Sequence, residues 1–261
     1  MKKITKLCKS FWNRRYLLRE LVIKGIRLKY RRSYLGVVWS LLEPILTTIV
    51  LTIVFGTLFG RKDRTFPVYI LCGRLLYSFF SHSTKAASKS IRANAGMIRK
   101  VYVPKYLYPL SAVLYNYIIF LISLVVLLPL GIYCGIQPGI RMFLLVIPLV
   151  LILCMTYGAG LILATINVFF RDIEYIWDVA LMVIMYTCAI FYDPERLMKS
   201  GYGWILKYNP LYGVIANFRH IIFGDALEQG LLLYGLLFSA AVLLIGNVLF
   251  YRKQDQFILH I

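Results

Sequence analysis

The stretch LKYRRSYLGVVWSLLEP, Leu28–Pro44, decides how the chain must be read. Four cations (Lys29, Arg31, Arg32 and, just before, Arg27) crowd the entry to an apolar run that starts near Leu35. Glu43 and Pro44 then interrupt that run. Cations at the mouth of a hydrophobic segment mark a membrane boundary, because Lys and Arg of short loops stay on the cytoplasmic side. A carboxylate and a proline inside such a segment each need a physical reason. A charge at mid-bilayer costs about 2.5–3.5 kcal/mol even on insertion scales. Proline leaves a helical carbonyl without its donor.

Outward from this stretch, the whole chain has the composition of a membrane protein. It is 60% hydrophobic with a mean hydropathy of +0.73 over 261 residues. The apolar residues fall in blocks of about 18 or more, enough to cross a hydrocarbon core as helix. The sequence therefore predicts an all-α polytopic membrane protein, a single domain over 1–261. Six spans are expected at 35–60, 67–83, 107–136, 141–170, 173–192 and 230–251. The second is the weakest, since it holds Gly73 and Arg74. Residues 193–229 contain semi-apolar pieces too short to span.

The net charge of +19 does not point to nucleic acid. No soluble basic domain exists, and the cations sit in short loops beside apolar segments, where they set topology and meet anionic lipid. Residues 1–33 alone hold 12 of the 30 Lys and Arg residues, which places both termini in the cytoplasm for six spans. The basic loop 61–64 is an exception on the outer face. In 1–33, Leu18, Val22 and Ile26 recur every fourth residue, with Leu17 and Leu21 beside them and Arg14, Arg15, Arg19, Lys24 and Arg27 on other faces. That pattern suits an amphipathic helix in the membrane interface, or one packed on protein. No cleavable leader is expected, since the first apolar block lies behind this long basic stretch.

Chemistry by the chain alone has no visible basis. The five cysteines are scattered with no C-x-x-C, so neither a disulfide framework nor a zinc site is signalled. There is no phosphate-cradling G-x-x-x-x-G-K-[ST], no H-E-x-x-H and no G-x-S-x-G. No catalytic residue, metal or cofactor is assigned. The loop 84–106 is more informative. In NAGMIRKVYVPKYLYP, Asn94–Pro109, basic polar sequence gives way to an aromatic turn between Pro104 and Pro109. Proline ends a helix at or before its predecessor, so a short cytoplasmic helix over about 88–101 should stop near Val103. Held between two spans, it can push or be pushed by a soluble partner; a simple topology loop has the same composition.

Four stretches together carry a resemblance over almost the whole chain: RRSYLGVVWSLLEP, MIRKVYVPKYLYP, NVFFRDIEYI and KYNPLYGVIANFRHIIFGD. In this order and spacing, the chain resembles the ABC-2 type permease subunits of exporters of lipid-linked polysaccharides (O-antigen, capsule, teichoic-acid and rhamnan types). The resemblance implies a homodimer in the bacterial cytoplasmic membrane, with two copies of a separate ATPase subunit that bind ATP and magnesium. It implies that Asn94, Met97, Ile98, Arg99, Lys100 and Tyr102 face the ATPase on a coupling helix. It makes Phe191–Leu197 and Asn209–Asp225 external gate helices, with Asn209, Pro210 and Arg219 as gate residues. It also has spans one and five line the path. Arg74, and CAIFYDPERL before the gate, depart from the family pattern.

For such a substrate, Arg27, Lys29, Arg31 and Arg32 would meet the phosphates, for which charge-assisted bonding is the natural role. Glu43, Tyr77, Trp177, Asp178, Tyr186 and Tyr192 are candidates for the path, the aromatic ones because sugars stack on rings. Glu43 could instead form a buried pair with Arg74. Asn209-Pro210 reads as a turn or helix start, and Arg219 with His220 as either a gate contact or a solvated polar face. Two other functions fit the residues: an exporter of drugs or small lipids on the same scaffold, and a membrane-embedded glycolipid-modifying enzyme acting without an ATPase.

Overall fold

A computed structural model describes residues 15–31, 33–60, 63–101, 103–137 and 139–260. The expected roles of Arg32 and Tyr102 lie outside the described residues. All regular structure among the described residues is helical: α1 (Arg15–Lys29), α2 (Trp39–Phe59), α3 (Phe66–Ala93), α4 (Ala95–Lys100), α5 (Leu107–Leu124), α6 (Leu127–Tyr133), α7 (Val146–Phe169), α8 (Ile173–Thr187), α9 (Pro194–Lys199), α10 (Gly203–Tyr208), α11 (Pro210–Phe223), α12 (Gln229–Lys253) and α13 (Phe257–His260). Short 3-10 turns lead into α2, α7 and α13.

Four helical stretches are long and apolar enough to cross a membrane: Gly36–Phe59, Leu107–Tyr133, Ile140–Phe169 and Gln229–His260. The chain is a multi-pass membrane protein. The other two expected spans correspond to α3 and α8, and each falls short for its own reason. α8 has 15 residues, about 22 Å of helix and short of a hydrocarbon core of about 30 Å. α3 has 28 residues and is long enough, but Arg74, His82, Lys85, Lys89 and Arg92 make it too polar; 18 of its residues are buried inside the protein. It is the central helix, packed on α2, α5, α7, α8 and α11, so it need not be apolar all round. α2 is the opposite case, with only Ser40 and Thr48 buried among 21 residues.

The expected boundary between span two and a cytoplasmic loop at 83/84 is not a structural break. α3 runs on to Ala93 and stops at Asn94, whose Nδ2 donates to the Ser90 carbonyl at 2.8 Å. Only α4 remains of the helix expected over about 88–101. Span three bends at Val125–Val126, where the bonding tightens to i→i+3 (Val125 N to Ile122 O, 3.1 Å) ahead of Pro129. The closest helix pair is α7 and α12. A side chain on Gly158 would strike the Leu243 backbone at 2.6 Å, a small-residue contact that lets two membrane helices approach without a hydrophobic driving force.

Both described ends of the chain lie at one end of the bundle. Leu18, Leu21 and Val22 of α1 pack in one apolar cluster with Ile98 of α4, Leu107 and Tyr108 of α5, Phe250 of α12 and Phe257 of α13. The apolar face of α1 is thus spent on protein, and the cationic residues Arg15, Arg19, Lys24 and Arg27 are exposed. Lys105 Nζ donates to the Gln254 carbonyl and ties the loop after α4 to the C-terminal segment.

Candidate functional site

The stretch that opened the reading forms one wall of a recess. Pro44 has no N–H, so the Ser40 carbonyl loses its helical donor; Ser123 Oγ of α5 supplies one at 2.8 Å. Thr47 Oγ1 caps the Glu43 carbonyl at 2.7 Å. These bonds let a proline sit in α2 and fix its start against α5. The recess lies between α2, α3 and α5, with a cavity of about 100 Å³. Its charged lining is Lys29, Glu43, Arg74 and His82, with Ser78 and Asn116 beside them. Lys29, His82 and Asn116 also line a wider groove of about 610 Å³ between α1, α3 and α5, together with Lys24 and Lys85. The two spaces adjoin through these shared residues, and groove volumes of this order take sizeable ligands. At the mouth, desolvation lowers the Lys29 pKa, and the Glu43 carboxylate opposes that fall.

Glu43 and Arg74 therefore do meet, as walls of one pocket. They do not form an ion pair: among the described residues neither takes part in one within 4.0 Å. Arg74 Nη1 reaches only Met185 Sδ, at 4.0 Å. The other three surface cations proposed for phosphate behave differently from one another. Arg27 and Arg31 line a separate shallow recess with Glu20 and Lys24, whereas Lys29 turns to the pocket.

A polar seam joins α3 to α8. Glu174 accepts from Arg92 Nη1 (3.2 Å), Lys89 Nζ (3.1 Å) and Asn167 Nδ2 (2.9 Å). Asn167, on α7, also donates to the Ser88 carbonyl and hydroxyl at 3.0 Å. Further along, Lys85 pairs with Asp178 at 2.8 Å, Trp177 Nε1 donates to Thr84 Oγ1 at 3.0 Å, and Tyr77 Oη donates to the Leu181 carbonyl at 2.9 Å. Three path candidates, Tyr77, Trp177 and Asp178, are thereby bonded into the seam; Tyr77 is buried. Tyr186 is exposed on α8, and Tyr192, half-buried, donates to its carbonyl at 2.7 Å. The sequence reading missed Lys85, Lys89, Arg92 and Asn167. The signal was present: cations at 85, 89 and 92 and carboxylates at 174 and 178 match at helical spacing.

At the far end, Asn209 caps α11, its Oδ1 accepting from Leu211 N (3.1 Å) and Tyr212 N (3.4 Å), with Pro210 in the first turn. α11 ends at Gly224 in the left-handed conformation (φ 84°). Arg219 is neither on a solvated face nor open to a ligand. It is 4% exposed and donates to the carbonyls of Tyr69 (3.1 Å), Ala189 (3.0 Å) and Ile190 (3.2 Å), with its guanidinium 3.5 Å from the Tyr69 ring centroid. Gly73 makes room, because a Cβ there would meet Arg219 Nη2. The Ala189 and Ile190 carbonyls come free because α8 ends at Thr187 and the chain turns at Ala189 with φ 48°. A helix terminus that would be unsatisfied in the membrane is closed by one buried cation.

The residues expected to face an ATPase divide. Met97, Arg99 and Lys100 are exposed at the surface of α4, Asn94 is half-buried, and Ile98 points into the cluster that joins α1, α5 and α13. Ile98 is the anchor of α4 and not part of its outer face.

The family model for ABC-2 type transporters matches residues 16–223, and the chain belongs to that family. It is 29% identical over 256 residues to the O-antigen export system permease protein RfbA of Klebsiella pneumoniae, covering 95% of this chain and 98% of that one. It is 25% identical over 240 residues to the polysialic acid transport protein KpsM of Escherichia coli, covering 90% and 92%. It is 24% identical over 253 residues to the capsule polysaccharide export inner-membrane protein CtrC of Neisseria meningitidis serogroup B, covering 84% and 93%.

Proposed function

We propose that this chain is the membrane permease of an ATP-driven exporter that carries a lipid-linked polysaccharide across the bacterial cytoplasmic membrane. It is a transport subunit and not an enzyme, and ATP with magnesium acts on a separate ATPase subunit. Two copies of the chain and two of the ATPase make the working unit. Six crossings, with α3 and α8 as the second and fifth, put both termini in the cytoplasm. α2 and α8, whose outer faces are apolar and exposed, meet the second copy or lipid.

The observation that supports this most is the joint between α4 and the entry groove. Ile98 anchors α4 in the cluster that also holds α1 and α5, and those two helices form walls of the cation-lined groove. A push on the exposed surface of α4 at Met97, Arg99 and Lys100 is passed through Ile98 to the groove walls. The permease relatives, named for O-antigen, polysialic acid and capsule polysaccharide, supply the cargo class. Arg27, Lys29, Arg31 and Arg32 receive the phosphates at the membrane surface. Asn209, Pro210 and the α9–α11 hairpins shape the external exit, held in place by Arg219.

Copurification tests the reading. The chain, expressed from its own operon with a tag, should bring down an ATPase subunit in equal amount, and Met97→Asp with Lys100→Glu on α4 should release it. A chain that purifies without an ATPase and modifies a glycolipid alone would be the membrane enzyme instead. ATP hydrolysis stimulated by drugs and not by glycolipids would make it a drug exporter.

A further inference from the structure

Arg74 is a half-buried cation on α3. It lies eight residues from His82 along α3, about 12 Å of helix at 1.5 Å per residue. The other charged groups that α3 directs toward α8 are met by carboxylates: Lys85 by Asp178, and Lys89 and Arg92 by Glu174. Arg74 has a sulfur at 4.0 Å and, among the described residues, no carboxylate within 4.0 Å. Glu43 shares the pocket but stays apart. A charge held at this depth without a partner faces water or a ligand and marks a functional site.

The pocket's chemistry points to an anion with several acceptor oxygens. Two cations, Lys29 and Arg74, outweigh one carboxylate, and Ser78 and Asn116 add neutral polar groups to the lining. A guanidinium presents a planar fork of donors suited to phosphate. Beside the pocket, Leu46 and Val50 follow Glu43 on one face of α2 and are exposed, an apolar track for a hydrocarbon chain.

We propose that Arg74, with Lys29, binds the phosphate or diphosphate of a membrane lipid inside the bilayer, its chain lying along α2. The surface cations then deliver the lipid, and Arg74 is its second station, nearer the midplane. Glu43 keeps the hold weak enough for release. The export reading supplies the identity of the lipid, but the site itself rests on Arg74 and its pocket.

The test is binding to the full chain in nanodiscs, with polyprenyl diphosphate, phosphatidylglycerol and inorganic diphosphate as separate probes. Wild type should bind polyprenyl diphosphate, Arg74→Gln should weaken it about tenfold or more, and Arg74→Lys should weaken it less, since a point charge replaces a bidentate fork. Glu43→Gln should tighten binding about threefold, a gain that a damaged fold does not produce. Lys207→Gln, at the opposite end, should change nothing. Equal binding of phosphatidylglycerol, lost in Arg74→Gln, supports the site and assigns it to bulk lipid. Displacement by inorganic diphosphate supports an anion site that needs no tail. Unchanged binding in both Arg74 variants, or no tightening in Glu43→Gln, overturns the proposal. Should the chain fail to copurify with an ATPase while Arg74-dependent binding persists, the exporter reading fails and the site stands.

Discussion

Two regions along α3 carry similar residues and treat them in opposite ways. In its last turns Lys85, Lys89 and Arg92 each meet a carboxylate of α8, and Glu174 takes three donors at once. Earlier along the helix, Arg74 shares a pocket with Lys29 and Glu43 without closing on Glu43. In a membrane the cost of charge is high enough that both arrangements need a cause. A saturated network is an internal fastening and specifies one packing of α8 on α3. An unsaturated pocket is held open for something that arrives. Pairing, more than charge, separates structure from function here.

That contrast can be broken by variants that lower stability on one side and spare it on the other. The largest loss is expected at the fastening that joins both ends of the seam to α11. Arg219→Ala leaves the Ile190 carbonyl without its donor, strips a donor each from the Ala189 and Tyr69 carbonyls, and should cost on the order of 3 kcal/mol, seen as a large drop in melting temperature in mild detergent. Next is Glu174→Ala. It removes one acceptor from three donors, but the groups are partly exposed, so about 1–2 kcal/mol is expected after screening. Ser123→Ala strips the Ser40 carbonyl of the donor that compensates Pro44 and should cost about 1 kcal/mol by the same melt. Smallest is Asp178→Asn, whose pair with Lys85 is exposed and contributes below about 1 kcal/mol. Arg74→Gln sharpens the comparison, because it should melt no lower than wild type. A fall as deep as that of Glu174→Ala would show that the two regions of α3 do not differ.

Much of this was legible in the residues. The helical class, the four most apolar spans, the cap at Asn209-Pro210 and the end at Gly224 follow from local patterns that tertiary context reinforces. Less legible was anything settled by which helix lies at the centre. α3 looked like a weak span because its polar residues were weighed against lipid, whereas they face protein. Tyr77 looked like a path residue because its ring was visible and its partner, a backbone carbonyl on α8, was not. Arg219 looked like a gate contact because two of the carbonyls it closes, those of Ala189 and Ile190, become available only when α8 ends at Thr187. Ile98 looked like an outward residue within a motif, but three other helices need its side chain. Glu43 and Arg74 were singled out from cost alone, and their meeting in one pocket required the fold.

The most direct test of the export account is transport in proteoliposomes that contain this chain and its ATPase. The account predicts ATP-dependent movement of a lipid-linked polysaccharide across the bilayer, absent when either subunit is omitted and lost in Arg74→Gln. Movement without the ATPase, or a glycolipid chemically altered by this chain alone, would contradict it.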